Sequence, residues 1–273
     1  MSLKNGKIGE RKKQMISILL SCYKSNIPIL QEQIDSILAQ TEKDFELLIY
    51  NDGTPNLHSF LEKCYSGLRI KYFDEGHKGC SGAFDYLLQK AKGEYICVCD
   101  HDDIWELDKL AVQKQYLDEH PDVDCVFGWL EWFGAKHKVE KFSISDEDIS
   151  KELYFWQPIK NPTAMFRKDR FGLMEAPFDK FVDFWYWAKY KDRHYHLIEK
   201  VLVKYRRHAE QMTSDKSIIR ENSAKVIQKS LFDRFGVEPS LNVCRMLDRY
   251  SKDYNEELKQ FIGQLCEKGI NNV

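Results

Sequence analysis

Long apolar runs are missing from this chain of 273 residues. No stretch approaches the roughly 18–20 residues that a membrane-spanning helix needs, so no transmembrane segment is expected. The first residues carry charge but no hydrophobic segment, which argues against a secretory signal. Residues 1–13 read as a polar, lysine-rich lead-in. An excess of one charge is missing too. The formal net charge is −2, which excludes a general attraction to nucleic acid or to anionic membrane. Cysteines are present at 22, 64, 80, 97, 99, 125, 244 and 266, but none forms a CxxC pair, so a zinc ribbon or a thioredoxin-like site is not expected. Cys97 and Cys99 fall in an apolar segment, where Cys acts as a small hydrophobe. Reduced thiols point to the cytoplasm. No internal repeat or low-complexity tract occurs. The GxxxxGK[ST] phosphate loop is absent, as is a GxGxxG after the first strand.

What is present is an alternation. Met15–Ser21, Phe45–Tyr50, Arg69–Phe73, Tyr95–Cys99 and Val123–Phe127 read as strands. Between them, helices are expected from Pro28 to Gln40, Leu57 to Tyr65, Ser81 to Ala91 and Leu107 to His120. Strands alternating with helices at this spacing mean a doubly wound, mostly parallel α/β sheet. The second half is less regular. It reads as one or two strands over Trp129–Phe142 with a turn at Gly134, then a charged loop over Ser143–Lys151. A strand at Asn161–Phe166 and a short helix at Arg167–Phe171 follow. Then come an aromatic helix at Phe181–Tyr190 and a late strand at Leu197–Tyr205. Amphipathic helices are expected from Asp215 on, with a last stripe of Leu258, Phe261, Ile262 and Leu265.

The fourth strand ends in Asp100-His101-Asp102-Asp103. Crowded carboxylates repel one another and raise each other's pKa unless positive charge sits among them. A divalent cation with phosphate oxygens is one guest for such a cluster. Acids capping the next helix are the other reading. Ligands of open α/β sheets bind at the C-terminal ends of strands, and two more loops at that edge carry polar groups. Ser21 and Tyr23 follow strand one, and Asp52 stands before Gly53 after strand two. Asp before Gly reads first as a turn. In the second reading, Asp52 accepts from a pyrimidine N3–H and Tyr23 stacks on the base. The glycine-rich Gly76–Gly82 loop precedes a helix N-terminus, which favours anions. His194 and His196 read as surface residues rather than a metal pair.

Four elements in order carry a resemblance. They are Ser21-Cys22-Tyr23, Asn51-Asp52-Gly53-Thr54, the His77–Asp85 loop and helix, and Gly93-Glu94-Tyr95 leading into Asp100-His101-Asp102-Asp103. Together they resemble the inverting family-2 glycosyltransferases of the GT-A fold, over about residues 14–210. The Asp100–Trp105 form is similar to the rhamnosyltransferase-like branch, whose members build bacterial surface polysaccharides. The resemblance implies a nucleotide-sugar-binding half at 14–127, an acceptor and catalytic half at 128–212, and a helical extension at 213–273. It implies that Asp52 contacts the nucleotide base and that Ser21 and Tyr23 line the same pocket. Asp100 and Asp102 match the Asp-x-Asp pair, which holds ribose and a Mg²⁺ or Mn²⁺ ion on the diphosphate. Asp103 is expected on the acceptor side or in the following turn. Trp105 is expected either to wall the donor sugar or to pack beneath the next helix.

Val182-Asp183-Phe184-Trp185 matches the family's catalytic acid. A lone Asp among Phe181, Phe184, Trp185 and Trp187 suits a general base; Asp179 is its nearest rival. Tyr205-Arg206-Arg207-His208 matches a late Tyr-Arg-x-His. There Arg206 or Arg207 would offset diphosphate charge, and His208 would be a further metal ligand or diphosphate contact. Two positions depart from the pattern: His101 stands where Gln or a small residue is frequent, and Asp85 replaces a frequent Asn. Processive members carry membrane spans and a Gln-x-x-Arg-Trp motif. Neither is here, so a single addition is expected. The implied partners are a nucleotide-diphospho-sugar and a saccharide or lipid-linked saccharide acceptor. The implied place is the cytoplasm or the inner face of the membrane, with peripheral contact. A nucleotidyltransferase is the competing enzyme, but it carries a glycine-rich loop after strand one and Ser21–Asn26 has no Gly. A non-catalytic carbohydrate- or nucleotide-binding module is the other competitor, and the intact acids argue against it.

Overall fold

Strands that carry apolar residues on both faces need cover on both faces. β1 (Ile16–Cys22), β2 (Phe45–Asn51) and β4 (Tyr95–Cys99) are such strands and are almost wholly buried. With β3 (Ile70–Phe73) they form a parallel block in the order β3-β2-β1-β4. The cover comes from both sides. α1 (Ile27–Leu38), α2 (Leu57–Tyr65) and α4 (Lys109–Glu119) pack Leu30, Ile34, Leu61 and Leu110 on one face. α3 (Gly79–Lys90) packs Ala83, Phe84, Leu87 and Leu88 on the other, together with α6 (Val182–Lys189). The sheet is therefore doubly wound. This computed structural model describes residues 15–178, 180–208 and 216–247, with residues 257, 258, 260, 261 and 264. The lead-in at 1–13, Asp179, the 212/213 boundary, and Ile262 and Leu265 of the last stripe lie outside the described residues.

The fifth strand departs from the simple alternation. β6 (Cys125–Gly134) does not pair with β4, because β8 (Met165–Arg167) enters between them, antiparallel to both. β9 (Tyr195–Arg207) then runs parallel to β6, with a register shift around Gly128 and Trp129. β7 (Lys138–Glu140) pairs with β6. The outermost strand is β5, only Ile104–Trp105, antiparallel to β9. β5 follows β4 directly in the chain yet pairs at the far end of the sheet. The sheet must therefore curl around the Asp100–Asp103 loop.

Two shorter expectations are corrected. The charged stretch at 143–151 is not all loop, since α5 (Asp146–Glu152) forms there. The Ser145 hydroxyl accepts the Asp148 N–H at 3.2 Å, and Asp146, Glu147 and Asp148 complement the positive end of the helix. The strand expected from Asn161 begins only at Met165, because Asn161–Thr163 forms a 3₁₀ turn with Pro162 inside it. In the C-terminal part, α7 (Lys216–Phe235) and α8 (Leu241–Leu247) pack Ala224, Ile227, Leu231, Val243 and Cys244 against Phe184, Trp185 and Ala188 of α6. Among the described residues, no helix is long and apolar enough to cross a membrane.

One polar knot fixes the start of β4 against β1 and β2. Glu46 Oε1 accepts the Ser17 hydroxyl and the Lys92 N–H, each at 2.7 Å, and Lys71 reaches Oε2. The Ser17 hydroxyl accepts the Gly93 N–H at 2.8 Å. A Cβ on Gly93 would stand 2.5 Å from the Ser17 nitrogen and 2.7 Å from the Met15 oxygen. Gly93→Ala should therefore cost about 1–3 kcal/mol, as overpacking does, read from urea unfolding. Burial raises the Glu46 pKa, but the bonds from Lys71, Lys92 and Ser17 outweigh it and hold the carboxyl below its usual 4.5. A depressed folded pKa gives stability that is present above the unfolded value and lost as pH falls through the folded one. The gap in stability between wild type and Glu46→Gln should accordingly be open at pH 7 and close under acid.

Candidate active site

Tight turns bring the acids to the C-terminal edge of the parallel block. After β2, Asn51 Oδ1 accepts the N–H groups of Gly53 and Thr54, at 3.2 and 2.7 Å. Gly53 takes a φ of +126°, which a Cβ disfavours. The turn lodges Asp52 at 2% exposure. Its Oδ1 accepts the N–H of Lys78 at 2.5 Å and of Gly79 at 3.2 Å, and its Oδ2 lies 3.0 Å from His77 Nδ1. Asp52 thus satisfies the amino end of α3. A carboxylate has about four lone-pair sites, so one remains on Oδ2. Tyr23 is 45% exposed, with its ring 5.0 Å from that of His77. Ser21 stands near the end of β1, in register with Tyr50.

The loop after β4 carries the second group. Burial, then Asp102, then Asp183 push the Asp100 carboxyl up to about 7. Asp102 Oδ2 lies 3.0 Å from His208 Nε2. Asp103 is fully buried, its Oδ1 accepting the Arg206 N–H at 3.0 Å while Oδ2 has no partner. Burial, Asp100 and Asp102 hold its carboxyl well above the usual range. Asp103 therefore ties this loop to β9 and does not face an acceptor. Trp105 also leaves the list of donor contacts. It is 3% exposed and packs in the core, with the buried Lys109 ammonium 4.0 Å over its ring. Its second expected role, packing beneath α4, is the one found.

Arg206 is a brace between elements. Its Nε donates to the Asp102 carbonyl at 2.8 Å, an Nη donates to Glu32 Oε2 at 2.6 Å, and the guanidinium lies 4.5 Å over Phe133. Glu32 takes up much of the charge expected to meet diphosphate. Arg207 lies over the Trp132 ring at 5.0 Å and points from the other face of β9. His194 and His196 are held by Asp122 and Asp146 near the surface.

Asp183 stands in the first turn of α6. Gln157 Nε2 donates to its Oδ2 at 2.8 Å. The loop before α6 is fixed from α3. Asp85 Oδ1 and Oδ2 accept the N–H groups of Met174 and Glu175 at 2.6 and 3.1 Å, and Ser81 Oγ accepts that of Ala176 at 3.1 Å. The thiol of Cys80, in the first turn of α3, reports what surrounds the crevice. Part of the residue stays open to solvent. Dense packing around the sulfur, then Asp100, Asp183 and Asp52, push it up to about 12. Asp52 and Asp100 follow the C-terminal ends of β2 and β4, which flank β1 in the parallel block, and Asp183 lies near enough to Asp100 to raise its carboxyl. No group of three His, Cys, Asp or Glu among the described residues is arranged to hold a metal alone. Asp102 with His208 supplies two donors, and Asp100 supplies uncompensated charge. That fits an ion which takes its remaining ligands from phosphate and water. Gln157 and Glu32 were not visible as site residues in the sequence, since neither lies in a glycine-rich motif; Cys80 lies inside the glycine-rich Gly76–Gly82 loop and was not singled out there. An open groove of about 720 Å³ lies apart from the acids, between β7 and α5, lined by Phe142, Phe155, Trp156, Lys138 and Glu152 among others.

Acids at the carboxyl ends of parallel strands, in a curled α/β sheet, define a fold built to hold a ligand at that edge. The sequence model of glycosyl transferase family 2 matches residues 17–182, more than half of the chain, and the protein belongs to that family. It is similar to an uncharacterized glycosyltransferase of Methanocaldococcus jannaschii, 26% identical over 217 residues, covering 73% of each chain. It is also similar to the putative teichuronic acid biosynthesis glycosyltransferase TuaG of Bacillus subtilis, 26% identical over 174 residues, 60% of this chain and 67% of that one. Among solved structures, S. aureus TarS 1-349 in complex with UDP-GlcNAc aligns with a TM-score of 0.63 at 18% identity, covering 93% of this chain and 80% of that one. The mannosyltransferase PcManGT of Pyrobaculum calidifontis, in complex with GDP-Man and Mn²⁺, aligns with a TM-score of 0.60 at 14% identity, covering 96% and 77%. These two likenesses show the GT-A fold.

The role of Asp103 is open to a direct test. Asp103→Asn keeps an oxygen for the Arg206 N–H and should unfold near wild type. Asp103→Ala leaves that buried donor unpaired and should cost about 1–3 kcal/mol, measured by denaturant unfolding.

Proposed function

We propose that the protein is a metal-dependent, inverting glycosyltransferase that moves one sugar from a nucleotide-diphospho-sugar to an acceptor hydroxyl. What carries this is the position of Asp52 and Asp100 at the C-terminal ends of β2 and β4, the parallel strands that flank β1, in a chain of glycosyl transferase family 2. The base stacks on the exposed Tyr23 ring, beside Ser21, and meets the remaining lone pair of Asp52. Asp100 binds the ribose and shares the diphosphate end with Asp102. Asp102, His208 and Asp100 would hold Mg²⁺ or Mn²⁺ there, and the ion would supply positive charge to the leaving diphosphate.

Asp183 accepts the proton of the acceptor hydroxyl. That oxygen bonds to the anomeric carbon as the bond from that carbon to the diphosphate oxygen breaks on the opposite face. The electron pair leaves with the nucleoside diphosphate, and the new linkage has inverted stereochemistry. The acceptor, a saccharide or lipid-linked saccharide, approaches from the second half of the chain. Likeness to a teichuronic acid biosynthesis enzyme supports a place in polysaccharide synthesis. The cytoplasm or the inner face of the membrane is the location that goes with this reading.

Asp183→Asn should lower sugar transfer about 10²–10⁴-fold, the usual share of a general base, with UDP or GDP binding unchanged by calorimetry. Asp102→Ala should abolish the Mn²⁺-dependent part of that binding. Wild-type turnover in the first variant would remove the base from Asp183. Nucleotide binding that ignores Mn²⁺ and is unchanged in the second would remove the metal.

A further inference from the structure

The Gln157 side chain sits between two groups that only accept. Its Nε2 donates to the Ile159 carbonyl at 3.0 Å and to Asp183 Oδ2 at 2.8 Å. A carbonyl and an ionised carboxylate both lack a proton to give, so the amide can face them with its nitrogen alone. The orientation of the amide is set by its partners. Ile159 is fully buried, which makes its carbonyl a fixed anchor. Asp183 Oδ1 has no hydrogen bond from the described residues and is the oxygen left to face the crevice.

The backbone end of Asp183 is fixed from a different direction. Asp85 and Ser81 of α3 hold three consecutive N–H groups, at Met174, Glu175 and Ala176. Lys189, in the last turn of α6, reaches back to the Leu173 carbonyl at 2.9 Å and to Glu175 Oε2 at 2.9 Å. Trp185 Nε1 donates to the Met174 carbonyl at 3.3 Å. These bonds place α6 and so the Asp183 backbone. They leave the rotation of its carboxylate free, and only Gln157 touches that among the described residues.

We propose that Gln157 is the positioning residue for the reaction's base: it pins one oxygen of Asp183 and presents the other to the acceptor hydroxyl. This rests on the assignment of Asp183 as base. A hydroxyl reacts only when the base oxygen lies in line with its proton, and a misplacement of about 1 Å costs about 10²-fold in rate. Removing the tether should therefore act on the chemical step and spare the donor.

The test uses the full chain with UDP-GlcNAc and GDP-mannose as donor probes. Gln157→Leu, similar in size and without the donor, should lose about 10²-fold in kcat with little change in donor KM. Gln157→His, which restores an N–H, should recover part of it. Independently of any turnover, the Gln157 side-chain amide signal in ¹⁵N NMR, assigned by its loss in Gln157→Leu, should move in Asp183→Ala. An unmoved signal, or wild-type kcat in Gln157→Leu beside an inactive Asp183→Asn, would overturn the inference. Wild-type turnover in Asp183→Asn would instead overturn the base assignment beneath it.

Discussion

The Asp103 carboxylate accepts the Arg206 N–H in full burial, and through that bond the centre of the sheet is tied to its far side. Asp103 follows the central strand β4, whereas Arg206 lies near the end of β9, beyond the antiparallel insertion of β8. The β5–β9 pairing and the Arg206 contacts to the Asp102 carbonyl and Glu32 run along the same seam. Because of it, His208 is delivered within 3.0 Å of Asp102. The crevice is therefore a product of the curl. A flat parallel sheet with the same acids would leave them at one edge with nothing across from them.

α3 makes the second connection. Its amino end is held by Asp52 and its middle holds the loop that leads to α6. The departure of Asp85 from the expected Asn acquires a structural meaning. A carboxylate offers an acceptor on each oxygen, and here each oxygen takes one backbone N–H. Asn would present a donor to one of them. Burial still raises the Asp85 carboxyl, the two N–H groups lower it, and nearby Glu175 raises it again. The same helix thus touches both Asp52 and the loop that leads to Asp183.

The parallel block was legible because strands apolar on both faces, caps and turn residues are local signals. Asn51-Asp52-Gly53 announces its turn, and Pro28 announces the first turn of α1. β8 was harder. A three-residue antiparallel strand inserted between β4 and β6 is a long-range choice with no local period. α5 looked like a loop because its acids were counted as solvated charge, although Ser145 followed by acids is also a start signal. The motifs point to Asp52, Asp100, Asp102, Asp183 and His208 as candidates, and the structure puts Asp102 beside His208 and Asp183 near Asp100. Trp105 and Asp103 could not be placed. An aromatic beside acids reads as a ligand wall, yet the sheet curl drives it into the core beside Lys109. Lys109 shows the reverse failure: a lysine on a helix reads as surface, but Gln113 and Trp105 give its ammonium a buried partner and a ring face. Gln157 carries no signal, since a lone polar residue before Pro is ordinary loop.

The charge at the crevice argues for what it is built to receive. Asp100, Asp102 and Asp103 are crowded in one loop, with Asp183 near enough to raise Asp100. The cations of the neighbourhood are committed elsewhere: Arg206 to Glu32, Arg207 to the Trp132 face, Lys109 to Gln113 beneath the loop. Arginine fixed among the acids would stabilise this loop further, but it would also fill the space between them. Leaving Asp100 at about 7 stores unfavourable charge that a cation relieves on arrival. In the function proposed above, that relief would come with the ion and its phosphate oxygens. It therefore favours the loaded crevice over the empty one by the same interaction that makes the empty one costly.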